Sequence, residues 1–208
     1  MIVQEAIKYF GEFGFSAPTR DLARRLGITQ PLLYRYFPTK EKLIERLFEE
    51  LVSEQWNPEW DRHLVNRETP IAERLTTFYL SYTASLFSYE RMRAFIFMWL
   101  STKGLRQQFE GSPSSRLFRQ IAEELRVAFE LPGPASVPVT KMEEELVWGL
   151  QGSVMYLGIR EFVYGLAPRV GRKRLIRAEV DVFLGGVEPE LRKAIAEAAS
   201  KKRKRAGL

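Results

Sequence analysis

The chain contains no cysteine and a single histidine, His63. Without cysteine there is no disulfide framework, no thiolate metal site and no thiol nucleophile, a composition that fits a reducing compartment. One histidine cannot complete a Ser-His-Asp triad or a multi-histidine metal site. Phosphate-cradling glycine loops are missing as well: neither G-x-x-x-x-G-K-[ST] nor G-x-G-x-x-G occurs, and the pair Gly11 and Gly14 reads as the end of a helix. Glu143, Glu144 and Glu145 read as acids of a helical first turn, where they favour the helix dipole, rather than as a catalytic carboxylate pair. The sequence therefore reads as non-enzymatic, with no cofactor and no bound metal.

Long apolar runs are also lacking. The longest, "AFIFMWL" at 94–100, is far short of the roughly 18 to 20 residues that span a bilayer. The N-terminus carries no basic-then-apolar export signal, so a soluble, cytoplasmic protein that does not engage membranes is expected. An excess of charge of one sign is confined to one place: of the formal +6, Lys201, Lys202, Arg203, Lys204 and Arg205 supply five, leaving about +1 for everything before them. That tail reads either as a solvated terminus or as a non-specific aid to holding DNA.

What is present is helical patterning. In 208 residues with 45% hydrophobic content, enough for one sizeable core or a small domain joined to a larger one, apolar residues recur at three and four and no alternating strand appears. An all-α fold follows. Ile2, Val3, Ala6, Ile7, Phe10 and Phe13 form one stripe that stops at Gly14. A second helix spans about Pro18 to Leu26, with Leu22, Ala23 and Leu26 inward, and Gly27 breaks it. Thr29 caps a third, running to about Tyr36, in which Pro31 is tolerated because a first-turn N–H has no intrahelical partner.

Two short helices joined by a tight glycine turn form a helix-turn-helix pattern, whose second helix lies in the DNA major groove. With Leu33 and Phe37 buried, Gln30, Leu32, Tyr34, Arg35 and Tyr36 are left toward solvent. Arg35 and Gln30 can pair with base edges, Leu32 can meet a thymine methyl, and tyrosine hydroxyls can donate to phosphate. Lys40 opens the next helix, where its charge and the free N–H groups both suit a phosphate.

The run "FGEFGFSAPTRDLARRLGITQPLLYRYFPTKEKLIERL" resembles, in order and spacing, the DNA-binding signature of the tetracycline-repressor (TetR) family of bacterial transcription regulators. The resemblance implies phosphate contacts at Thr19, Tyr34, Tyr36 and Lys40, and a base-reading face of Thr29, Gln30, Pro31, Leu32 and Arg35. Ala17-Pro18 stands where the family commonly has hydroxyl residues, and the sequence starts at helix one without a preceding basic arm, so fewer backbone contacts are expected. Residues 1–45 are expected to form the helix-turn-helix domain and 46–208 an effector-binding and dimerisation domain.

Beyond the motif, Thr39 starts a helix with Leu43, Ile44, Leu47, Phe48, Leu51 and Val52 on its apolar side, closed by Asn57-Pro58, and His63 falls in a loop. Thr69-Pro70 opens a helix bearing Phe78 and Tyr82, another runs from about Arg91 to near Gly104, and Ser112-Pro113 opens the next. "LPGPASVPV" reads as a linker, after which Thr140 and Glu143 form a capping box on a long helix ending near Gly165. In that helix Leu146, Val147, Leu150, Val154, Leu157 and Phe162 mark an apolar seam, and Gly149, Gly152, Ser153 and Gly158 allow a close neighbour. A further helix with Leu175, Ile176, Val180, Phe183 and Leu184 stops at Gly185-Gly186. Periodicity leaves open whether these helices pack within the chain or across a dimer; the resemblance implies a homodimer on double-stranded DNA.

Phe78, Tyr82, Phe95, Trp99 and Trp148, with Gln151, fit either ordinary core or a pocket for an apolar molecule oriented by Tyr82 or Gln151. The resemblance implies such an effector, and with it a repressor released from its operator by a small apolar ligand. The competing class is a helical protein–protein adaptor without specific DNA binding.

Overall fold

The structure, a computed structural model, describes residues 1–53, 57–101, 109–110 and 113–205. Among them the chain is all-α, with ten α-helices and no strand. The expected helix end near Gly104 and the cap at Ser112 lie outside the described residues. Packing divides the chain into two compact units. The first joins Met1–Trp56, Thr83–Ser114 and Gly158–Ala167; the second joins Asn57–Tyr82, Ser115–Leu157 and Pro168–Leu208.

In the first unit, α1 (Ile2–Phe13) buries Ala6, Ile7, Tyr9 and Phe10. It ends where the Gly14 amide bonds back to the Phe10 carbonyl at 2.9 Å, with Gly14 at a φ of +75° that favours glycine. Helices α2 (Thr19–Arg25) and α3 (Gln30–Tyr36) follow, then α4 (Lys40–Phe48), which continues as a π-helical segment, Glu49–Ser53. Leu22, Leu33, Leu43, Leu47 and Phe48 close one core with Ala6, Ile7 and Phe10.

Helix α7 (Tyr89–Ser101) packs against α1. Gly11 is not the helix end that the sequence led us to expect: it lies inside α1, and a Cβ there would sit 2.4 Å from the Glu90 carbonyl oxygen. Glycine lets two helix backbones touch, and Arg93 Nε locks the contact by donating to the Gly11 carbonyl at 2.8 Å.

The second unit holds α5 (Pro58–Val65), the start of α6 (Ile71–Leu86), α8 (Pro113–Ala128), most of α9 (Lys141–Gly158) and α10 (Arg172–Arg205). Helix α5 corrects two expectations. Asn57 caps a new helix by accepting from the Glu59 amide at 3.0 Å, and His63 lies on that helix, not in a loop. Helix α10 corrects a third, because it runs through Gly185, Gly186 and Pro189 without stopping. Each glycine costs about 1 kcal/mol relative to alanine and an interior proline about 3, yet Ile176, Val180, Val187, Leu191 and Ile195 are all buried along this helix. Burying five such side chains, at about 1.5 to 3 kcal/mol each, outweighs the breakers.

The proline-rich stretch 131–139 is clamped instead of loose. Arg126, 1% exposed, donates to the carbonyls of Pro132 (2.9 Å), Val137 (2.6 Å) and Pro138 (3.2 Å). Its Nε and Nη2 fork grips the two oxygens of Glu143 at 2.6 and 2.7 Å. The expected capping box is present too, Glu143 accepting from the Thr140 amide at 2.8 Å while Thr140 Oγ1 accepts from the Glu143 amide at 3.3 Å.

Candidate nucleic-acid interface

The helix-turn-helix is built from α2 and α3 around Gly27, whose φ of +69° makes the turn. Three ties that the sequence did not disclose brace it on α1. The Tyr9 hydroxyl donates to the Pro18 carbonyl at 3.0 Å, fixing the entry to α2. Burial pushes the Tyr9 phenol up, with the Asp21 charge adding to it, so it remains a neutral donor. Arg25 reaches Glu5 at 2.5 Å and Glu12 at 2.7 Å. Lys40 Nζ donates to the Ala17 carbonyl at 2.9 Å and lies 5.7 Å from the Phe10 ring centroid.

Helix α3 starts as expected, with Thr29 Oγ1 accepting from the Leu32 amide at 3.3 Å and Pro31 in the first turn. Its anchor is Leu33, 1% exposed, with Phe37 half-buried beside it. At about 100° per residue, this inward pair turns Pro31, Leu32 and Arg35 outward. Gln30 and Tyr34 fall on the edge toward α2, and Tyr36, 63% exposed, on the opposite edge. Pro31 and Arg35 are exposed; Leu32, Gln30 and Tyr34 are half-buried. Eight of the nine residues expected to meet DNA therefore sort into an outward face, two edges, the cap Thr29 and Lys40 at the first position of α4.

One of the nine is turned inside. Thr19, at the start of α2, is 6% exposed, and its oxygen lies 2.9 Å from the Tyr34 hydroxyl and 3.2 Å from the Gln30 amide nitrogen. Around the corner into α4, Thr39 Oγ1 accepts from the Lys42 amide at 3.2 Å. A groove of about 480 Å³ beside Tyr36 runs along α4 past Thr39, Lys42 and Arg46, but Glu45 and Glu49 share it and oppose an anion there. Arg20 and Arg24 of α2 and Arg35 of α3 are exposed cations of the helix pair, Arg24 reaching Asp21 at 3.2 Å.

The residues expected to meet an effector fall into groups. In the second unit Phe78 and Tyr82 stack at 5.7 Å, Trp60 meets both edge-on, and Gln151 Nε2 donates to the Tyr82 hydroxyl at 3.2 Å. Burial pushes the Tyr82 phenol up to about 12, so it stays neutral. In the same unit Trp148 stacks on Phe118 at 3.9 Å. Phe95 and Trp99 belong to the first unit, with Phe48 and Phe109 against Trp99. Trp60, Phe48 and Phe109 were not anticipated; aromatic spacing alone does not tell which rings meet.

A braced helix pair that turns a short polar face outward over an apolar anchor defines a helix-turn-helix DNA-binding domain. Residues 2–47 match the family described as bacterial regulatory proteins, tetR family. Residues 2–47 thus carry the DNA-binding domain of that family of transcription regulators, as the signature string indicated. No curated protein and no solved structure matches it. Among the described residues, no helix is long and apolar enough to cross a membrane.

Proposed function

We propose that the protein represses transcription by binding a palindromic operator as a homodimer and leaves it when a small apolar effector binds. Residues 1–45 carry the DNA contacts, and 46–208 the effector site and dimer surface. The observation that supports this most is the outward face of α3, where Pro31 and Arg35 are exposed and Leu32 is half-buried beside them. Incubating the protein with DNA fragments from around its own gene, at several salt concentrations, tests it. Retention of one fragment over the others supports the operator, whereas indifference to duplex DNA at low salt leaves the adaptor reading.

Within that reading, Arg35→Ala is expected to lose sequence discrimination by roughly 1 to 3 kcal/mol. Lys40→Ala is expected to weaken all duplexes alike and lower the log-log salt slope by about one. The Lys40 ammonium spends one of its three donors on Ala17, which leaves the others for phosphate. Equal losses on operator and random DNA for Arg35→Ala would remove Arg35 from the base-reading set.

We assign the effector to the aromatic surroundings of Tyr82 and Gln151, where the half-buried Tyr82 and the buried Gln151 pair beside Phe78 and Trp60, with Trp148 in the same unit. Phe95 and Trp99 are separate candidate contacts in the first unit. An effector preferring the DNA-incompetent state by about 2.8 kcal/mol lowers operator affinity up to roughly a hundredfold, and by linkage DNA weakens effector binding equally. A thermal-shift screen of hydrophobic aromatic and acyl compounds, followed by operator titration with each hit, is expected to find ligands whose binding Tyr82→Phe and Gln151→Leu weaken. Hits that ignore both changes and are lost with Trp99→Ala place the site in the first unit.

A further inference from the structure

We propose that Thr19 is a positioning residue, whose buried hydroxyl sets the Gln30 amide to read an adenine and aims the Tyr34 phenolic proton at a phosphate. This rests on the reading that α3 enters the major groove. A threonine hydroxyl has one proton and two acceptor lone pairs, and an amide nitrogen only donates. Gln30 Nε2 therefore donates into Thr19 Oγ1 at 3.2 Å.

The Thr19–Tyr34 contact at 2.9 Å can run either way, since either atom could be the donor, but the two directions are not equivalent. If Tyr34 donates, the Thr19 proton is left to find another acceptor on a side chain 6% exposed, and no other partner for it occurs among the described residues. If Thr19 donates, its buried proton is used, and Tyr34, half-buried at the protein edge, keeps its own proton for an outside acceptor. Buried polar groups are almost always satisfied, so the second direction holds: Gln30 to Thr19 to Tyr34 to phosphate. Hydrogen bonds in such a chain strengthen one another, which couples the phosphate contact to the base reader.

The same accounting defines what Gln30 reads. One amide N–H is spent on Thr19, leaving the second N–H and Oε1, the donor and acceptor that pair with N7 and N6 of adenine in the major groove. Gln30 stands one helical turn from Tyr34, on the edge of α3 nearest α2, so its side chain is tethered at the rim of the base-reading face.

The test compares Thr19→Val, which keeps the shape and removes the hydroxyl, with Thr19→Ser, which restores it. Half-site preferences are measured by selection from randomised duplexes, and melting temperatures by circular dichroism. Thr19→Val is expected to lose an adenine preference at one position per half-site by roughly 5- to 150-fold, with the other positions kept. Gln30→Ala is expected to lose the same preference, the double variant no more than either, and Thr19→Ser to recover it. Tyr34→Phe, which leaves the Gln30 tether in place, is expected to weaken all duplexes alike; unchanged affinity for every duplex in that variant would overturn the assigned direction, because Tyr34 would then give no proton to a phosphate. Thr19→Val that keeps the preference, or that weakens every sequence equally, overturns the positioning role while leaving operator binding intact. A wild type without any preference overturns operator binding itself and the positioning role with it.

Discussion

Replacing Arg126 with methionine is expected to destabilise the protein by about 3 to 5 kcal/mol, a fall of roughly 6 to 20 °C in melting temperature for a chain of this size. Five guanidinium N–H groups meet five acceptors: two Glu143 oxygens and the carbonyls of Pro132, Val137 and Pro138. Methionine fills the volume but leaves a fully buried carboxylate without its cation and three carbonyls without donors. Replacing both partners, as in Arg126→Met with Glu143→Met, is expected to recover most of the loss, since a buried pair exchanged for apolar side chains is often near neutral.

pH supplies an independent check. Desolvation pushes the Glu143 carboxyl up, but the Arg126 fork and the Thr140 amide and hydroxyl outweigh it and hold it below its ordinary range. Glu124, gripped by Arg67 and Arg74 against the same desolvation, is lowered too. A carboxyl lowered by folding adds stability above its unfolded pKa, and that contribution disappears as pH falls through the folded value. In Arg126→Met the sign reverses, because an unpaired buried carboxylate is raised and takes up a proton more readily when folded. The gap between wild type and variant should therefore narrow as pH is lowered from 7 toward 4. A gap that stays constant would mean that Glu143 is not the group left uncompensated.

The helix-turn-helix was legible because its signals are local. Gly27, Thr29, Pro31 and Thr39 each act within one turn of where they stand, and the structure puts every one of them in its expected place. Thr19 was less legible: a hydroxyl at a helix start reads as a phosphate contact, and only the fold brings Gln30 and Tyr34, 11 and 15 residues away, onto the same oxygen. Breaker residues misled for a different reason. Asn57-Pro58, expected to close the helix begun at Thr39, opens α5, and Gly185-Gly186 yields to apolar burial on either side of it. Glu143 was read as a cap and is one, but its second partner lies 17 residues away on another helix.

Splitting the proposed dimer should have the largest effect on function, and burial within the chain changes which residues would do it. Val147, Leu150, Val154 and Leu157 of the apolar seam, which periodicity left open between packing within the chain and a dimer, are 0 to 7% exposed within a single chain. Gly158 is committed inside as well, because a Cβ there would meet Met92 at 2.5 Å and Phe87 at 2.7 Å. What α9 leaves open is the opposite stripe, Met142, Gly149, Gly152 and Tyr156, and a Cβ at either glycine would meet nothing within 4 Å. Helix α10 does likewise with Ala178, Val182, Gly185 and Pro189, Val182 being 76% exposed. We place a second copy on these two stripes, whose small and apolar residues stand beside exposed Glu145 on α9 and Arg192 on α10.

Gly152→Glu and Val182→Glu are accordingly expected to give folded monomers, since Gly152 has room for a side chain and loses a glycine that costs a helix about 1 kcal/mol. Across a dimer interface the same carboxylates would be buried without partners. Operator affinity should then fall by roughly 10² to 10⁴, because the second half-site no longer benefits from the high effective concentration of a tethered partner. Val154→Glu is the contrast, expected to unfold the chain whatever its oligomeric state. Sedimentation velocity and circular dichroism on the three variants separate these outcomes. A wild type that is monomeric at micromolar concentration, or glutamates at 152 and 182 that leave the dimer intact, would move the interface elsewhere.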